Sequence, residues 1–216
     1  MMRAPLLAAL LLACAVLPGA AQTAPATPPP PDADLIVARS KGDPAAPIRV
    51  VEMSDFQCPW CRKFTLETSG ALDSEYVRTG KVHWIFVNLP LTELHPNAVA
   101  AAELAMCVAG RGRFWPVHDL LYRNQDKWAP LRDPEPYLLT LVDSLRIPRD
   151  SVLPCLQRGE MRPLVERDAN TARRIGAGST PAFLIDGALL SGAYPVEVFR
   201  HVLDSIYAER QAGRRQ

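Results

Sequence analysis

A Cys-Pro-Trp-Cys tetrad, Cys58-Pro59-Trp60-Cys61, stands between two stretches of different periodicity, and no other feature limits the possible folds so strongly. Before it runs Val50-Val51-Glu52-Met53, apolar and β-branched; after it Phe64, Leu66, Leu72, Tyr76 and Val77 recur at roughly helical spacing. The stretch reads as a strand that delivers two cysteines to the start of a helix. Pro59 suits the first helical position, where its missing N–H is not needed, and Cys61 follows Cys58 by one turn on the same face. The positive end of the helix favours a thiolate at Cys58, which makes Cys58 the expected nucleophile and Cys61 its disulfide partner.

Other uses of a Cys-x-x-Cys pair fit less well. Zinc needs two further ligands, and Cys107 and Cys155 are single residues far apart with no local His, so no metal and no cofactor is expected. A purely structural disulfide between Cys58 and Cys61 would close almost no loop and add little stability. The four histidines, His83, His95, His118 and His201, lack ligand spacing and are read as satisfied or solvent-facing side chains. The formal net charge of +1 is not gathered into a basic surface, which leaves no basis for a nucleic-acid partner.

Residues 1–21 carry the marks of an export signal: Arg3, an apolar run over 6–17 too short to span a bilayer, then Gly19-Ala20-Ala21 as a cleavage site. Leu11-Leu12-Ala13-Cys14 offers a second reading, a lipobox that would leave a lipid anchor at Cys14. Cleavage after Ala21 is preferred because the apolar run continues past Cys14. Either way the expected location is periplasmic or otherwise extracytoplasmic. There, Cys58, Cys61, Cys107 and Cys155 permit disulfides.

Along the chain, residues 22–40 form an Ala/Pro-rich linker, disordered up to about Asp34, with a short lead-in after it. Residues 41–92 hold a βαβ unit: a strand over 48–53, a helix over 59–79 stopped by Gly80, and a parallel strand over 82–89. Residues 93–176 read as an all-helical insertion, with apolar-periodic runs at 95–108, 114–124, 137–145, 150–156 and 160–175. Residues 177–210 return to strand at 182–185 and 188–191, joined by Asp186-Gly187 with type I′ hairpin character, before a last helix over 195–207.

The segment from Val50 to Cys61 resembles the active-site segment of DsbA-family thiol:disulfide oxidoreductases, in the branch known as thioredoxin-4 domains. The similarity continues through Asn88-Leu89-Pro90-Leu91, His95-Pro96-Asn97-Ala98, Phe114-Trp115 with His118-Asp119-Leu120-Leu121-Tyr122, and Gly178-Ser179-Thr180-Pro181-Ala182-Phe183. It implies an α/β thioredoxin fold with an all-helical insertion between the βαβ and ββα halves. It also implies a cis Thr180–Pro181 bond facing the cysteines, with Thr180 and Pro181 contacting substrate alongside Trp60. Phe56 is expected either to join that docking patch or to be core.

Glu52, taken alone, could point outward at a sheet edge; the resemblance instead implies a buried acid that exchanges a proton with Cys61. Cys107 and Cys155 could pack as free thiols, while the resemblance and the exported setting imply a structural disulfide between them. The activity implied is that of a monomeric oxidant for reduced or unfolded exported proteins, restored by a membrane partner of the DsbB or VKOR type. The rivals are a disulfide isomerase or reductase of the same fold, and a redox-silent or metal-binding module, separated by reduction potential and by whether Cys58 exchanges at all.

Overall fold

The computed structural model describes Met1 and residues 32–213, so the expected export signal, Cys14 and the linker up to residue 31 lie outside the described residues. Strand β2 (Ile48–Ser54) is the axis of the fold. It pairs in parallel with β3 (Val82–Asn88) on one side and antiparallel with β4 (Ala182–Ile185) on the other. Short β1 (Ser40–Lys41) closes one edge against β3, and β5 (Ala188–Ser191) the other, giving the order β1-β3-β2-β4-β5.

Alternation along β2 separates two cores. Ile48 and Val50 face a layer of Phe64, Leu72, Tyr76, Phe183 and Phe199 beneath α2 (Pro59–Glu67), α3 (Ser69–Leu72) and α10 (Val196–Gly213). Met53 faces the opposite side, where Ala169 and Ala172 of α9 (Arg162–Arg174) let that helix approach closely. Glu52 and Ser54 share the face of Ile48 and Val50, so both are carried inward by the pleat.

Between β3 and β4 the chain forms α4 (Ala98–Cys107), α5 (Phe114–Arg123), α6 (Gln125–Trp128), α7 (Glu135–Ser144), α8 (Leu153–Gln157) and then α9. A core of its own, including Leu104, Leu121, Trp128 and Val142, packs these helices together and reaches the sheet through Phe56 and Phe86. Cys107 at the end of α4 is bonded to Cys155 in α8, closing a separation of 48 residues. The mixed sheet, its flanking helices and the helical insertion make the interrupted thioredoxin fold expected from the sequence.

Two segments differ from their sequence readings. The expected helix over 59–79 is broken: α2 ends at Glu67, capped by Thr68, α3 lasts a single turn, and residues Asp73–Val77 widen into a π-turn. Ser69, Ser74 and Thr79 each turn a hydroxyl back onto the carbonyl four residues earlier, which bends a helix, and Thr68 is drawn off by the Tyr194 carbonyl at 3.3 Å. The linker assigned to 22–40 is ordered at its end, where α1 (Asp32–Ala38) buries Leu35 and Arg39 pairs with buried Asp168. Among the described residues no helix is long and apolar enough to cross a membrane.

Candidate active site

The turn from β2 into α2 is held from several sides. Buried Asp55 accepts the Gln57 amide at 2.7 Å through one carboxyl oxygen, and the Leu91 amide and His95 Nδ1, each at 2.8 Å, through the other. From the insertion, Gln125 Nε2 donates to the carbonyls of Phe56 and Cys58 at 2.7 and 3.0 Å. Gln57 spans the same gap, donating to the Ala129 carbonyl and accepting the Asn97 amide. Cys58 is thereby fixed as the residue preceding α2, with Pro59 opening the helix and Cys61 one turn in.

Both sulfurs are free thiols, and their surroundings set them apart. Cys58 is lowered from 9.0 to about 6, chiefly by the hydrogen bond from the Cys61 thiol, with Thr180 and the amides of Cys61 and Trp60 adding to it against the cost of burial. While protonated, the Cys58 thiol can also donate to the Thr180 carbonyl at 3.4 Å. Cys61 is pushed well above the ordinary thiol range by burial and by its neighbour Cys58. Thr180 precedes Pro181 through a cis peptide bond, which brings this loop against the sulfur.

Glu52 is 2% exposed. Desolvation raises its carboxyl, opposed by the charge of His118 and by the Trp84 indole, which donates to Oε2 at 3.0 Å. The Ser54 hydroxyl favours the charged forms of both Glu52 and Cys61 and lies 3.1 Å from the Tyr122 hydroxyl. Beside Glu52 opens a small cleft, lined by Thr65, Trp84, Trp115 and His118 and bordered by Lys41 and Asp73. Glu52, Ser54, Cys58 and Cys61 thus form one connected group, capable of moving a proton to or from a buried sulfur while a second sulfur meets a partner.

Of the residues singled out from the sequence, Cys58, Cys61, Glu52, Thr180 and Pro181 converge here, and Trp60 is 59% exposed beside them. Phe56 is a correction: it is 1% exposed and stacks on Phe86 at 5.1 Å, so it is core and offers no docking surface. The residue follows β2 directly, and the insertion supplies Phe114 and Tyr122 to cover its ring. His118 is a second correction, being 4% exposed with Nδ1 on Asp119 and Nε2 without a partner. Its spacing from Phe114 and Tyr122 on the buried stripe of α5 was the available signal. Ser54 and Gln125 carried no signal, since their roles come from contacts between segments far apart in sequence.

The Thioredoxin family model (Thioredoxin_4) matches residues 36–205. Over 154 residues the chain is 30% identical to a probable disulfide bond formation protein D of Bacillus cereus, covering 70% of this chain and 71% of that protein. Over 183 residues it is 32% identical to Na(+)/H(+) antiporter NhaA 3 of Salinispora tropica, covering 84% of this chain. It spans only about a quarter of the length of such antiporter relatives, 26% in that case. In fold it is similar to alpha-DsbA1 of Wolbachia pipientis, with a TM-score of 0.73, 22% sequence identity, and coverage of 81% of this chain and 93% of that one.

Proposed function

The chain belongs to the thioredoxin family, in its DsbA-like branch, and on that footing we propose that it is an exported thiol:disulfide oxidoreductase that introduces disulfides into folding proteins. The observation that carries this reading is the unequal pair: Cys58 stabilised as a thiolate beside the Thr180–Pro181 loop, and Cys61 buried behind it. Stabilising the thiolate stabilises the reduced enzyme, and a pair that prefers to be reduced is an oxidising disulfide.

In the proposed cycle a substrate thiolate attacks Cys58 of the oxidised pair. The Cys58–Cys61 bond breaks, a mixed disulfide joins substrate to Cys58, and Cys61 departs as a thiolate. Burial disfavours that charge, so Cys61 takes the proton that desolvation keeps on Glu52, by way of the Ser54 hydroxyl. The substrate's second thiolate then attacks its own sulfur in the mixed disulfide and expels Cys58 as a thiolate. Two electrons have passed from the substrate's thiols to the enzyme pair, and the substrate keeps the new bond. Trp60 and the backbone at Thr180 and Pro181 receive the substrate, which is a reduced exported polypeptide. A membrane partner of the DsbB or VKOR type accepts the electrons and restores the disulfide.

Equilibration of the Cys58–Cys61 pair with glutathione buffers tests this reading. An oxidant of this kind gives a potential near about −120 mV. A value near about −270 mV would make the protein a reductant instead, and absence of exchange would leave it a redox-silent module.

A further inference from the structure

Three buried polar atoms without hydrogen-bond partners belong to residues that line one cleft: Glu52 Oε1 from β2, Thr65 Oγ1 from α2 and His118 Nε2 from α5. Convergence of such atoms from three elements calls for a polar occupant that can donate and accept at once. Water does both, and with about 20 Å³ open to it the cleft has room for one such molecule. The cleft reaches the surface at Lys41 and Asp73, which pair at 3.8 Å and are each partly exposed.

His118 is oriented for this position. Its Nδ1 lies 2.9 Å from Asp119 Oδ1, and because a carboxylate only accepts, the ring proton belongs on Nδ1 and the lone pair of the neutral ring on Nε2. Phe56, Phe86, Trp115 and Tyr122 pack edge-on around the imidazole and prevent it from turning away. The titratable and charged groups around it are Glu52 on β2, Lys41 on β1, Asp73 on the π-turn, and Asp119 and Tyr122 on its own helix.

We propose that His118, held by Asp119, carries the Glu52 proton to and from solvent through water in this cleft. The inference rests on the proposed oxidoreductase cycle and completes it. When Glu52 has given its proton to the Cys61 thiolate, the resulting carboxylate is reprotonated through water by the His118 imidazolium, which recovers a proton from solvent at the Lys41 and Asp73 rim. The net change is one solvent proton taken up by Cys61, and re-oxidation of the pair runs the same transfers in reverse. His118 acts through Glu52 and touches no reacting sulfur, so it is a positioning residue. The attraction between its charge and the Glu52 carboxylate accords with this pairing.

The test is stopped-flow reduction of the oxidised full chain by dithiothreitol across the pH range, in the parent, His118→Gln, Glu52→Gln, the double variant and Asp119→Asn. His118→Gln is expected to slow reduction by about tenfold and to remove one inflection from the pH profile. The double variant is expected to be no slower than Glu52→Gln alone, because both side chains serve one transfer. Asp119→Asn, changed at a side chain 42% exposed, is expected to shift the profile in the same sense by less. A parental pH profile in His118→Gln, or multiplying effects in the double variant, overturns the proposal. Should His118→Gln fail to fold, an unshifted profile in Asp119→Asn does so instead. A parent that never exchanges with dithiothreitol refutes the oxidoreductase cycle itself, whereas an active parent with a silent His118 variant refutes only this inference.

Discussion

Cys58 and Cys61 are one helical turn apart, yet the fold gives them opposite acid–base behaviour, and the difference is measurable. Thiolate ultraviolet absorbance of the reduced protein should rise with a midpoint near pH 6, from Cys58 alone. Replacing Cys61 by Ala removes the leading cause of the lowering, so the midpoint should move upward towards 9.0. The linkage has a definite sign: a thiol held at about 6 in the fold and 9.0 outside it stabilises the reduced fold fully above pH 9.0, and that contribution fades as the pH falls towards 6. The identity of this pair was plain in the Cys-Pro-Trp-Cys sequence. What the sequence could not give was the proton chemistry behind it. Glu52 needed either the fold or a family resemblance to be placed inside, and His118 reads as an ordinary helical residue until β2 supplies the carboxyl facing the same cleft.

At the scale of elements, the helix after the cysteines shows where periodicity ceases to be informative. Apolar spacing correctly placed a helix at Pro59 and its end near Gly80, but the break at Thr68 depends on back-bonding hydroxyls and on the distant Tyr194 carbonyl. Strand β1 was hidden for a similar reason: two residues, Ser40 and Lys41, have no alternation to detect and exist as strand only because β3 offers its edge. Gly42, which follows, tightens the turn with φ +84°, and a Cβ there would stand 2.4 Å from the Val82 carbonyl oxygen. Gly42→Ala is therefore expected to destabilise the protein by about 1–3 kcal/mol or more, read as a lower denaturant midpoint with unchanged slope. Asp186 and Gly187, both at positive φ, form the hairpin that their sequence indicated.

For the whole molecule, the strand and helix patterns indicated a βαβ unit, a helical insertion and a return to a hairpin and helix, and the family resemblance implied that these make one interrupted thioredoxin fold. How the insertion packs was less legible. Its helices are short, and their arrangement depends on a shared core and on the Cys107–Cys155 bond, neither of which is encoded locally. Replacing both cysteines by Ala should cost about 2–4 kcal/mol in thermal or denaturant unfolding, since the bond closes a long loop in the unfolded chain. Buried Asp168 adds a second long-range tie, accepting from Arg39 before the sheet and from Asn88 at the end of β3.

The grip of Gln125 on the carbonyls of Phe56 and Cys58 has a consequence for how such proteins diversify. The redox turn is clamped by a segment outside the thioredoxin half that carries its sequence, so a substitution in the insertion reaches Cys58 without crossing the sheet. A chain with the same Cys-Pro-Trp-Cys tetrad but no side-chain amide at the place of Gln125 would lack this hold on the carbonyls of Phe56 and Cys58.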